Sequence, residues 1–137
     1  MDITEFGQNS LICGDSSRFT RWVPDNSFNH IVTDPPFGQG DKVSYGRSEL
    51  GYRKIYGDGG LQWLPGFATE SFRVTDDKAF CLVYWQWRTY SLLEEIMISA
   101  GWELKTVGIW DKKNSGLGAG LAEGYEQMCF FRKPNAR

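Results

Sequence analysis

The sequence has one histidine and three cysteines in 137 residues, and that scarcity excludes a good deal. A lone His30 offers no material for a zinc site or a histidine-based triad, and its place inside an apolar run reads as a core or sheet-face residue. Cys13, Cys81 and Cys129 are odd in number, widely spaced and set among apolar neighbours. Buried reduced thiols are expected rather than a disulfide framework, and a cytoplasmic setting goes with them. Neither sign of charge is in excess. The formal net charge is −2, so the chain as a whole is no electrostatic glue for nucleic acid, and any basic patch must be local. No apolar stretch reaches membrane-spanning length, and Met1-Asp2-Ile3-Thr4-Glu5-Phe6 lacks the basic start and apolar core of a signal peptide.

What is present is a chain of ordinary single-domain size, long enough to bury a core without staples. Aromatic residues make up 15% with six Trp, which suits either a Trp-rich core or ring stacking on a ligand. Asn9–Cys13 reads as a short strand closed by Gly14-Asp15, and Ser16–Trp22 as a short helix capped by Asp15 or Ser16. After the turn Pro24–Ser27, Phe28–Val32 is a second strand. A right-handed parallel unit of these two strands would put Asp15 and Asp34 at one edge. Leu61–Val74 has helical spacing, with Pro65 tolerable in a first turn. Asp76–Lys78 is a turn, and Ala79–Tyr84 an unbroken apolar run of strand length. Arg88–Ala100 is a helix stopped by Gly101, Leu104–Trp110 a strand, and Tyr125–Arg132 the last strand. This order predicts a single α/β domain over 1–137 with an antiparallel last pair. Gly38–Gly60 has no periodicity and is expected to be a mobile loop over a site. Its Arg47, Arg53 and Lys54 are candidates for phosphate contacts, with Tyr45, Tyr52 and Tyr56 for stacking. Asp111–Gly124 is a second glycine-rich loop that opens on Lys112 and Lys113.

The second strand runs into Thr33-Asp34-Pro35-Pro36-Phe37, which sets an acid, backbone carbonyls and a flat ring at a sheet's carboxyl edge. Open α/β sheets bind their ligands there. With Leu11–Asp15 ahead of it, Gly101–Leu104 and Ile109–Lys112 behind, and Tyr125–Lys133 at the end, the chain resembles the catalytic half of the amino-group DNA methyltransferases. The likeness is to the adenine-N6 and cytosine-N4 enzymes in which the catalytic motif precedes the cofactor motif. The resemblance implies a Rossmann-like methyltransferase-type sheet, mostly parallel with an antiparallel final strand. It also implies S-adenosylmethionine as cofactor and duplex DNA with a flipped adenine as substrate. Asp34, Pro35, Pro36 and Phe37 would be catalytic: Asp34 and the Pro35 carbonyl accept from the exocyclic amine, and Phe37 stacks the base. Asp15, with Asp34, would face the cofactor, while Arg47, Tyr52, Arg53, Lys54, Lys112 and Lys113 would meet nucleic acid. Carbon-5 cytosine chemistry, which needs a cysteine beside a proline, is excluded.

The family's Asp-Pro-Phe-x-Gly-x-Gly cofactor motif is not found, and Gly116–Gly120, the only glycine-rich candidate, reads as a loop. Half of the cofactor pocket is therefore expected from a homo-oligomer or a second polypeptide, unless the chain is a truncated catalytic domain. The alternative is a non-catalytic methyltransferase-like module that binds nucleic acid or protein and acts as a decoy or regulator of methylation or restriction.

Overall fold

A computed structural model describes residues 10–38, 59–113 and 124–135. Four strands form one sheet: β1 (Phe28–Thr33), β2 (Thr75–Trp85), β3 (Glu103–Asp111) and β4 (Tyr125–Arg132), in the order β1-β2-β4-β3. Helix α1 is Ser16–Thr20, α2 is Leu64–Val74, and α3, Tyr90–Ser99, follows a single 3-10 turn at Trp87–Thr89. β1 and β2 are parallel, whereas β4 runs antiparallel to both of its neighbours. β3 therefore points the same way as β1 and β2, and the last strand is the one reversed, as expected from sequence.

β2 is buried on one side along Ala79, Cys81, Val83 and Trp85, and the register sets Cys129 and Phe131 beside them on β4. Leu64 and Ala68 of α2 and Leu93 and Met97 of α3 close over these residues, all of them fully buried. Alternate residues point to the other face. There Phe80, Leu82, Tyr84, Met128 and Phe130 are only half-buried, and Val32 and Trp110 are exposed. The core cluster thus lies on one side of the sheet. His30 sits on the other side, stacked on Phe80 at 3.8 Å, a sheet-face histidine as expected.

Pro65 occupies the first turn of α2, where its missing N–H costs nothing. α3 ends at Gly101, whose φ of +107° is open to glycine and which lies against the Phe72 ring.

Three expectations are corrected. Ser10–Cys13 form no strand, and Leu11 is fully exposed. The parallel pairing meant to bring Asp15 to the edge of Asp34 is accordingly absent among the described residues. Cys13 is exposed with that segment, while Cys81 and Cys129 are buried free thiols. Third, Asp76–Lys78 do not separate helix from strand. β2 starts at Thr75, and the register jumps from Phe28↔Thr75 to His30↔Phe80, so these residues bulge out of a continuous strand. Lys78 N–H donating to Asp76 Oδ1 closes the bulge as a turn.

Among the described residues, no helix is long and apolar enough to cross a membrane.

Candidate functional site at the carboxyl edge

The carboxyl ends of β1, β2 and β3 and the start of β4 meet along one edge. β1 delivers Asp34-Pro35-Pro36-Phe37 to it, because two prolines without N–H groups stop the ladder. Asp34 is exposed, and the Phe37 ring is half-buried. Phe37 meets Trp85 edge-to-face, with ring centroids 5.8 Å apart, on the helix-covered side of the sheet. Its carbonyl accepts from Gln86 Nε2 at 3.4 Å. Gln86 also donates to Thr89 Oγ1, which in turn accepts from Trp85 Nε1. The end of β1 is thereby fastened to the end of β2.

Asp34 belongs to a different neighbourhood. Burial raises its pKa first, the carboxylate of Glu126 raises it further, and Lys112 pulls it down. Glu126 and Lys112 form an ion pair at the mouth of the β3-β4 hairpin, which is closed by Lys112 N–H to the Gly124 carbonyl. Tyr84 and Trp110 stand on the same edge as an edge-to-face pair at 5.7 Å. Among the described residues the edge thus carries the carboxylate of Asp34, the Glu126–Lys112 ion pair, the exposed Asp111–Lys113 pair and rings on both sheet faces. Acceptor-only carboxylates beside flat rings can hold a planar molecule that donates hydrogen bonds.

The remaining predicted residues scatter. Asp15 caps α1, accepting from Ser17 N–H at 3.0 Å and Ser17 Oγ at 2.7 Å, and these bonds lower its pKa. The capping alternative is what the structure shows. Lys112 is at the edge but paired, and Lys113 closes back on Asp111 in an exposed pair. Arg47, Tyr52, Arg53 and Lys54, the rest of the expected loop, and Gly116–Gly120 lie outside the described residues. Of that loop only the ends are seen, with Gly38 brought against Leu61 and Gly60. Among the described residues no group of His, Cys, Asp and Glu could hold a metal ion.

Sequence reasoning missed Gln86, Glu126, Tyr84 and Trp110 as site residues. Only strand register brings them to Asp34's end of the sheet, and register depends on pairing rather than on local pattern.

A sheet of three co-directional strands with an antiparallel last strand between the second and third, carrying Asp-Pro-Pro-Phe at its carboxyl edge, defines a methyltransferase-type α/β fold. No family model matches the chain. Among curated proteins, "Putative methylase YubD" of Escherichia coli (strain K12) is 26% identical over 121 residues, 88% of this chain and 50% of that protein. Among solved structures, the cytosine-N4-specific PvuII DNA methyltransferase aligns with a TM-score of 0.66 at 17% identity, covering 90% of this chain and 48% of its own. The M1.HpyAVI–SAM complex aligns with a TM-score of 0.54 at 14% identity, covering 89% and 50%. The chain therefore has the fold of the DNA methyltransferases, and the resemblance read from its motifs holds at that level. It spans about half the length of the proteins it matches.

Proposed function

We propose that the chain carries the methyl-acceptor half of an S-adenosylmethionine-dependent DNA amino-methyltransferase acting on adenine N6. The observation that carries this reading is Asp34-Pro35-Pro36-Phe37 at the carboxyl end of β1, in a fold otherwise met in DNA methyltransferases. Aspartate at the first position, rather than serine, favours adenine over cytosine.

An exocyclic amine is a weak nucleophile because its lone pair is delocalised into the ring. Asp34 and the Pro35 carbonyl would accept its two N–H groups, favouring the pyramidal nitrogen and stabilising the positive charge that grows on it during transfer. Proline fixes that carbonyl in place. Phe37, fastened through Gln86 and Trp85, would pack against the extruded base. Bound S-adenosylmethionine supplies the electrophilic methyl group on a sulfonium. The edge suits a cation, since the Asp34 carboxylate stands there with the Tyr84 and Trp110 rings beside it. Lys112, the neighbouring cation, is neutralised by Glu126.

The sequence shows no glycine-rich cofactor motif of the expected kind, and a second polypeptide, or a second copy, is proposed to complete the donor pocket. Among the described residues β1 is an edge strand without lysine, arginine or proline in its six residues, which suits it to pairing.

The test is methyl transfer from tritiated S-adenosylmethionine to duplex DNA of mixed sequence. The reading predicts label in N6-methyladenine, lost by at least about a hundredfold in Asp34→Ala, as for removal of one preorganised acceptor. A second reading, a methyltransferase-like binding module without transfer, predicts DNA or protein binding that is indifferent to S-adenosylmethionine.

A further inference from the structure

Among the described residues, strand register directs a ring other than Phe37 towards Asp34. β1 and β2 are in parallel register with Thr33 beside Val83, and continuing that register by one residue sets Asp34 beside Tyr84, across strands roughly 4.8 Å apart. Side chains alternate, and Val83 and Trp85 point into the helix-covered core. Tyr84 points the other way, next to Met128 of β4. The charges around Asp34 agree with that placement. The charges felt by Asp34 are those of Glu126 and Lys112. Glu126 is opposite Trp110 in the β3-β4 register, and Trp110 braces Tyr84 edge-to-face. Phe37 instead packs on Trp85, on the core side.

We infer that Tyr84, braced by Trp110, is a stacking surface for a planar heterocycle whose exocyclic amine is held by Asp34. The argument is complementarity. A half-buried ring lies beside an exposed carboxylate that can only accept, so the fitting ligand pairs a flat face with an adjacent N–H donor. Aminated nucleobases have this shape. The inference rests on the proposed function, within which the target adenine of the nucleic acid is the ring whose amine meets Asp34. Gly108 next to Met128 keeps the middle of this face low. A side chain there would meet Met128 Cε at 3.0 Å.

The full chain, with Tyr84→Leu and Tyr84→Phe variants, is titrated by calorimetry with single-stranded oligodeoxyadenylate and, separately, with S-adenosylhomocysteine. Single strands remove the cost of base extrusion. Tyr84→Leu is expected to weaken the oligonucleotide about tenfold or more, the scale of one lost base–ring stack, while Tyr84→Phe stays within about twofold of wild type. A loss confined to the oligonucleotide assigns the ring to the target base, and a loss confined to S-adenosylhomocysteine overturns that assignment. In case the leucine variant fails to fold, proton NMR on the wild-type chain gives the same answer. Upfield shifts of adenine H2 and H8, with cross-peaks to the Tyr84 ring, are expected on binding. Wild-type binding that Tyr84→Leu leaves unchanged, or an adenine without contact to Tyr84, overturns this inference alone. A wild-type chain that does not bind the oligonucleotide, whose acceptor site is proposed to lie in this chain, overturns the proposed function with it.

Discussion

Asp34 is held in a partly desolvated position beside another carboxylate, and both effects work against its ionised form. The folded state therefore binds a proton at Asp34 more tightly than the unfolded chain does. Its favourable share of stability is complete below the unfolded carboxyl value, about pH 3.8, and is lost as pH rises through the higher folded value. Asp34→Asn removes that loss without changing shape. Thermal unfolding should show Asp34→Asn more stable than wild type at pH 7, with the difference vanishing at pH 3. Equal stability at both pH values would mean that the site does not strain its own acid. A group that costs stability at working pH is what a functional site, rather than a strand-ending turn, leads one to expect. At this scale the sequence is half legible. Asp34-Pro35-Pro36-Phe37 can be read as a site because its residue types and its place after an apolar run are local facts. Tyr84 cannot, because it lies inside an apolar run, and only the β1-β2 register turns it towards Asp34.

Elements were legible wherever a segment's pattern and its tertiary partners agree. The apolar runs of β1, β2, β3 and β4 and the helical spacings of α2 and α3 all fall within a few residues of their expected places. Asn9–Cys13 has the same apolar character, yet its described part, Ser10–Cys13, forms no strand, since hydrophobicity does not supply hydrogen-bond partners. Asp76–Lys78 make a turn but not an element boundary, because a bulge and a loop share the same chemistry. Gly101 is the element boundary most sharply defined by sterics. Its φ of +107° is strained for any L side chain, and a methyl group would come within 2.9 Å of Phe72, which packs on Trp102 at 5.4 Å. Gly101→Ala should cost more than about 1 kcal/mol in denaturant unfolding. A cost near zero would place the helix stop elsewhere.

For the whole molecule, the telling feature is asymmetry. Helices cover one face of the sheet, and the core is drawn from that face. The other face carries half-buried aromatic and aliphatic residues and ends at Asp34. Sheets with co-directional strands are ordinarily covered on both faces. The chain shares its fold with DNA methyltransferases over about half of their length. The site lies at the edge of the face from which the described core is not drawn. Sequence alone could indicate the missing glycine motif but not which face the described helices close over, which is fixed only by register and helix placement.

The most direct test of this account is transfer of tritiated methyl from S-adenosylmethionine to duplex DNA by the full chain, alone and after addition of extract from its native host. The account predicts label that co-migrates with N6-methyladenine after digestion and is lost in Asp34→Ala. Absence of label under both conditions, or label that survives Asp34→Ala, would contradict it.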